Sequence, residues 1–311
     1  MKTTYKKQKD LTSISWSWNT FFLLVLIVFA FITVAPVILL ICISFSSVES
    51  LSTRGYVFIA AEWSLQGYEY LFKLGDQLWR SYFVSFAYAG FGTALSLVVM
   101  SLYAYVLYQR NFPLNKFLTW FLFITMIFNG GLIPSYMLIT QYLHIGDTFF
   151  LLLISGMVAG YNIIIIRTFM RTAVPDTLLE SARIDGAGHW RIYLTIVMPL
   201  MKAGLATVGL FGFVARWNDW FTGLLYIQKA SLTPLQTLLW RLQQEIMLAT
   251  NMMTNNAARM QGPDAAEILR RMPRTNLVMA CTVAAIVPVI IVYPFFQRYF
   301  VRGMLVGSLK E

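Results

Sequence analysis

Six stretches of this chain are long and apolar enough to cross a lipid bilayer. A hydrocarbon core about 30 Å thick takes about twenty consecutive, mostly apolar residues per helix. The runs are Phe21 to Phe45, Tyr82 to Tyr108, Phe117 to about Tyr142, Thr148 to Met170, Pro199 to Ile227, and Asn276 to Phe296. Pro36 interrupts the first, and Asn129-Gly130-Gly131 with Pro134 loosens the third. Composition agrees: 58% of the 311 residues are apolar and 12% are charged, against about 45–50% and about 25% in a soluble domain. That is too little charge to cover a water-facing surface and too much apolar surface for a disordered chain. The expected fold is all-α: a polytopic membrane protein with six transmembrane helices.

Lys6, Lys7 and Lys9 precede the first run, as basic residues do in a secretory signal. The run is too long for a signal's apolar segment and no small-residue cleavage site follows it, so a retained helix is expected. Orientation follows from the basic residues. With both termini in the cytoplasm, inside segments hold fourteen of the 24 Lys and Arg residues. Outside segments then hold nine, six of them in the long 228–275 stretch, where the charge rule has little force. The net charge of +10 therefore speaks of orientation and not of nucleic acid.

The expected organisation is a cytoplasmic tail over 1–20, a membrane domain over 21–297 and a cytoplasmic tail over 298–311. Within the membrane domain, 171–198 is an internal loop and 228–275 a large external one. In the latter, Leu235–Met247 reads as an amphipathic helix, Asn251 to Pro263 as polar loop and Asp264–Arg271 as a short helix. The external 47–80 segment is rich in aromatic residues, among them Tyr56, Trp63 and Trp79, suited to the interface.

Catalytic chemistry finds few residues to work with. His144 and His189 are the only histidines, Cys42 and Cys281 the only cysteines, and none has metal-ligand spacing. There is neither a Gly-x-Ser-x-Gly elbow nor a Walker A sequence. No catalytic residue and no metal site are expected. The main ionisable cluster at membrane depth is Arg216-Trp217-Asn218-Asp219 in the fifth run. Such charges point to function; an Arg216–Asp219 pair three residues apart on one helix face is the competing, purely structural reading.

The internal loop has more to say. Pro175 can open a helix whose Leu178, Leu179 and Ala182 lie on one side, and Gly186 stands where a Schellman cap would end it. A second short helix, about His189 to Val197, follows before Pro199. Two short helices around a glycine corner make a knob suited to a cleft on a cytoplasmic partner.

Glu180-Ser181-Ala182, three residues, Gly186, nine residues and Ile196-Val197-Met198-Pro199 together resemble the EAA loop of ABC importer permeases. Ser181 and Met198 depart from the family's Ala and Leu. Trp217-Asn218-Asp219 and the Tyr293-Pro294-Phe295-Phe296-Gln297-Arg298 segment are similar to the carbohydrate-uptake branch, specifically its maltose-type second permease. The polar external stretch around Asn251–Asp264 resembles the group that works with lipoprotein binding proteins on complex or uronate-containing oligosaccharides.

That resemblance implies a type I ABC importer permease in the bacterial cell membrane, and not an enzyme. It implies a heterodimer with a second permease, two cytoplasmic ABC ATPases that hold ATP and magnesium, and an external solute-binding protein. This chain itself would bind no cofactor. Glu180, Ser181, Ala182, Asp185 and Gly186 would then couple to an ATPase. Asn129, Tyr136, Asn162, Trp217, Asn218 and Asp219 have the amide, carboxylate and aromatic chemistry for a sugar path. A non-sugar solute such as a peptide or phosphate stays open as the cargo, as does, less favoured, a proton-coupled carrier.

Overall fold

The structure, a computed structural model, describes residues 16–109, 111–259 and 275–308. Among these residues there are helices and no strands; Ser46 and Trp63 form one isolated antiparallel bridge. The chain divides into two compact units, Met1–Glu69 with Thr254–Val283 and Tyr70–Met253 with Ala284–Glu311.

In the first unit, α1 (Trp16–Ser44) is apolar on every side, and only Ile43 and Ser44 are buried. Thr20 and Thr33 donate their hydroxyls to Trp16 O and Phe29 O, each at 3.0 Å. Neither threonine hydroxyl is thereby left bare toward lipid. Ser47 caps α2 (Val48–Arg54) by accepting the Ser50 N–H at 3.0 Å. On α3 (Gln66–Lys73), Tyr68 shares a 2.8 Å hydrogen bond with Ser44 and packs on Phe45 at 4.8 Å between ring centroids.

The second unit is built around α4 (Asp76–Tyr108), which packs against α7 (Phe149–Ile154), α8 (Gly160–Ala173) and α12 (Lys202–Trp217). Its buried Ser81, Ser85, Ala89, Gly92, Ser96 and Ala104 recur about every four residues. This stripe of small side chains lets neighbouring helices approach closely. Two of its hydroxyls tie it to other elements: Ser85 Oγ accepts the Leu235 N–H at 2.7 Å, and Ser101 shares a 2.7 Å bond with the Tyr193 hydroxyl. Toward the end of α4 lies the apolar core of Met100, Leu107, Ile163, Ile166, Met170 and Val208.

The expected spans differ from the observed helices in continuity. Trp16–Ser44, Asp76–Tyr108 and Asn276–Pro294 are long and apolar enough to cross a bilayer, and two bent pairs raise the number to five. The third expected span is α5 (Asn115–Ile127) followed by α6 (Leu132–Met137) and a π turn at Leu138–Tyr142, with a bend of 111°. Asn129 and its glycines cause the bend: the Asn129 side-chain oxygen Oδ1 accepts the Gly131 N–H at 2.9 Å, a turn in place of a helix.

The fourth expected span is α7 and α8, interrupted at residues 155–159. The fifth is also divided. His189–Leu200 meets α12 at 77°, α12 stops at Trp217, and α13 (Phe221–Tyr226) completes the run.

Outside the spans, α14 (Leu235–Arg259) continues through residues expected to be loop. Ala249, Met252, Met253, Ala257 and Ala258 favour helix, and the first breakers are Gly262-Pro263. The final helix, α15 (Thr275–Ser308), runs past Phe296 into the expected C-terminal tail. The expected Asp264–Arg271 helix, Lys2 to Lys9 and Leu309–Glu311 lie outside the described residues.

The turn between the third and fourth expected spans is clamped by one carboxylate. Asp147, at a positive φ of 56°, accepts the Gln228 and Lys229 N–H groups on Oδ1 at 3.0 and 2.9 Å, while Lys229 Nζ lies 3.6 Å from Oδ2. The Lys229 N–H foremost, then the Gln228 N–H and the Lys229 ammonium, hold the Asp147 carboxyl below the usual carboxylate range. A depressed native pKa means that the clamp is complete above the unfolded value of about 4 and is lost as pH falls through the native one. Amide exchange at Gln228 and Lys229, corrected for intrinsic rates, should therefore stay flat from neutral pH down to about pH 4 and accelerate only below it. Asp147→Ala should accelerate it at every pH.

Candidate functional site

The internal loop folds as a knob whose inner side is anchored and whose outer side is bare. Pro175 enters α9 (Asp176–Ile184) with an extended ψ of 136°. Leu179 and Ala182 bury into the same core as Met100, Tyr105 and Met170. The Tyr108 hydroxyl, at the end of α4, donates to Asp176 Oδ1 at 2.8 Å and lies 3.2 Å from Val174 O. Glu180, Ser181, Asp185 and Gly186 are exposed. Of the five residues expected to couple, four therefore face outward and Ala182 seats the helix.

The corner is a complete Schellman motif. Gly186 N–H reaches Arg183 O at 3.0 Å and Ala187 N–H reaches Ala182 O at 2.9 Å. Gly186 takes φ +75°, a conformation in which a Cβ crowds the following carbonyl. From Gly188 the chain re-enters helix as α10 (His189–Ile192), which widens into a π turn at Tyr193–Val197 and closes as α11 (Met198–Leu200). The second helix begins where the sequence places it; the wide turn has no evident sequence signal. At the corner Ile184 is 86% exposed and Trp190 68% exposed. Beside it lies a cavity of about 710 Å³, lined by Tyr105, Phe112, Pro113, Arg183, Trp190 and Tyr193 among others.

The cluster at membrane depth separates into two sets of contacts. Arg216, 7% exposed, donates through Nη2 to Ser96 Oγ on α4, to Gly156 O at 3.0 Å and toward Ser155 O at 3.4 Å. Asp219 instead accepts the Tyr88 hydroxyl at 2.8 Å and the Thr222 N–H at 3.0 Å. The expected direct Arg216–Asp219 pair is thus absent: the two side chains bond different partners, and Tyr88 lies between them, interacting with both. The reason is the helix end at Trp217, which turns Asp219 off the face that carries Arg216.

The other expected path residues are not brought together: no side-chain hydrogen bond joins any of the six to another. Trp217 is buried and donates its indole N–H to Ala285 O at 3.0 Å. Asn129 caps its own turn, Asn162 is half-buried on α8 and Asn218 is exposed. Tyr136 stacks on Tyr226 at 5.8 Å and 17°. Sequence reasoning missed Tyr108 and Ser96 as anchors, since one hydroxyl in an apolar run signals nothing until its partner is known.

Residues 98–306 match the family described as binding-protein-dependent transport system inner membrane component. The chain is 34% identical over 285 residues to the polygalacturonan/rhamnogalacturonan transport system permease protein YtcP of Bacillus subtilis (strain 168), covering 92% of this chain and 95% of that one. It is 33% identical to protein LplC of the same organism, over 90% of each chain. Among solved structures it is similar to a bacterial ABC transporter involved in the import of the acidic polysaccharide alginate. That likeness has a TM-score of 0.73 at 28% identity and covers 93% of this chain and 99% of the other.

The corner makes a local prediction. Gly186→Ala should cost about 1–2 kcal/mol there, read as roughly tenfold or more faster amide exchange at Ala187. Gly188→Ala, at an ordinary φ of −71°, should leave that exchange unchanged.

Proposed function

The chain belongs to the family of binding-protein-dependent transport system inner membrane components, and we propose that it forms half of the path by which an ABC importer takes up an acidic oligosaccharide. It is a membrane-embedded transport subunit and not itself an enzyme. The other half of the path is a second permease. ATP and magnesium reside on two cytoplasmic ATPases, and a binding protein outside delivers the sugar. Both termini and the α9 knob face the cytoplasm, and the 228–275 segment faces the binding protein.

The observation that carries this reading is the build of the knob. Its outer surface presents Glu180, Ser181, Asp185 and Gly186 to a partner. Its inner surface is fixed by Leu179, Ala182 and the Tyr108–Asp176 bond to α4 and α8. A displacement applied at Glu180 is therefore delivered to the spans and is not absorbed in a floppy loop. Packed interfaces of this kind move as rigid bodies between two arrangements. Glu180 is exposed and free to meet a basic groove on an ATPase.

The cargo class rests on the relatives. Two of them are described by polygalacturonan/rhamnogalacturonan and by the acidic polysaccharide alginate; galacturonans and alginate both carry a carboxylate on their uronate rings. Exposed Asn218 and half-exposed Tyr136 retain the amide and ring chemistry such a substrate would meet.

With partner subunits and binding protein in proteoliposomes, Glu180→Lys should lower uptake by more than about tenfold, the loss of one or two charge-assisted bonds. Membrane insertion should be unchanged. Tyr108→Phe should give an intermediate loss. Uptake of labelled oligogalacturonate should exceed that of a neutral maltooligosaccharide of equal length. Equal uptake of the two would exclude the acidic-cargo reading, and uptake by the chain without any ATPase would exclude the importer itself.

A further inference from the structure

Between α7 and α8, residues 155–159 depart from regular helix within an apolar run. The Ser155 and Met157 N–H groups still reach Leu151 O and Ile154 O, and Ala159 O accepts the Ile163 N–H, but among the described residues no backbone N–H reaches the Ser155 or Gly156 carbonyl. In hydrocarbon, each backbone carbonyl without a donor costs several kcal/mol. Gly156 turns to φ +62°, and its carbonyl and that of Ser155 lie 3.0 and 3.4 Å from Arg216 Nη2. The same nitrogen reaches Ser96 on α4. One guanidinium on α12 therefore touches the break and the central helix together. Room for it is provided on α4: a Cβ on Gly92 would come within 2.8 Å of Arg216 Nε and 3.0 Å of its Cδ.

Discontinuous transmembrane helices often turn such freed carbonyls on a cation. Here the cation is part of the chain. Arginine suits the task because it remains charged in any protein environment and offers five N–H groups in a fixed fork. Its direct partners are carbonyl dipoles and a hydroxyl, while Asp219, hydrogen-bonded to Tyr88 and Thr222, acts on it only through space.

We propose that Arg216 is a resident cation that locks the α7–α8 break onto α4 and α12, so that the interrupted span moves with α12 as one piece during transport. It is a positioning residue with no contact to cargo. The transport half of this statement rests on the import reading above; the locking half does not.

The experiment uses the assembled importer in nanodiscs, with Cys42, Cys281 and the partners' cysteines replaced. Spin labels go on Phe150→Cys in α7 and Phe211→Cys in α12, both exposed positions. Pulsed dipolar EPR then reads the distance between the two helices, and uptake is measured on the same preparations. Wild type and Arg216→Lys should each give one narrow distribution.

Arg216→Gln should broaden or split that distribution and lower uptake by about tenfold or more, with insertion retained. A narrow distribution in Arg216→Gln overturns the lock. A broadened one with undiminished uptake overturns its part in transport. Should Arg216→Gln fail to assemble, Gly92→Ala crowds the guanidinium without deleting it, and the same broadening is required. If wild type imports no sugar, the import reading fails while the distance measurement still decides the lock.

Discussion

A bilayer core contains no water, so each backbone N–H and C=O released by a broken helix must find its partner inside the protein. This chain breaks its helices repeatedly, and polar side chains take up the loose ends. At 128–131 the Asn129 side chain accepts the Gly131 N–H, and Ser135 donates to Gly131 O at 2.7 Å. At 155–159 Arg216 supplies the donors. At 218–220 Asp219 accepts the Thr222 N–H, and Thr237 donates to Trp220 O at 2.9 Å. Asn129, Ser135, Arg216 and Asp219 are thus accounted for by the geometry of the interruptions.

The features legible in the sequence were those fixed by local chemistry. Period and length gave the apolar runs, and the Gly186 corner followed from the need for one residue at positive φ after a short amphipathic helix. On α9 spacing placed Leu179 and Ala182 correctly on the buried side, whereas Leu178, expected beside them, is 40% exposed because it lies about 100° round the helix from Leu179. The interruptions were harder to see. A run such as Leu151 to Val158 stays apolar on average although Ser155-Gly156 ends a helix inside it, and hydropathy averages over the break. Asn129-Gly130-Gly131 was visible because three poor helix formers stand together. The candidate site divides the same way: the exposed half of the knob could be read from one segment, whereas Tyr108, Ser96 and the true partners of Arg216 are tertiary facts. Sequence proximity suggested Asp219 for Arg216, and a helix end three residues long was enough to separate them.

Anchoring and exposure are distributed unevenly. α4 is surrounded by α7, α8 and α12, and its small-residue stripe makes it the most enclosed helix of its unit. α1 has almost no buried surface within the chain, and α5 keeps only Leu122 buried. Such faces require lipid or another membrane subunit, in keeping with a chain that forms one half of a path.

Ile184 and Trp190, bare at the corner of the knob, bear on how this end would be held in the proposed assembly with an ATPase. Salt at physiological strength screens charges beyond about 8 Å and weakens whatever Glu180 contributes. It has no such effect on two large apolar side chains, whose removal from water is favourable by about 25 cal/mol per Å² and is strengthened by sulfate. A wash in concentrated ammonium sulfate would leave the joint intact, while urea, which solvates apolar and peptide groups alike, would open it.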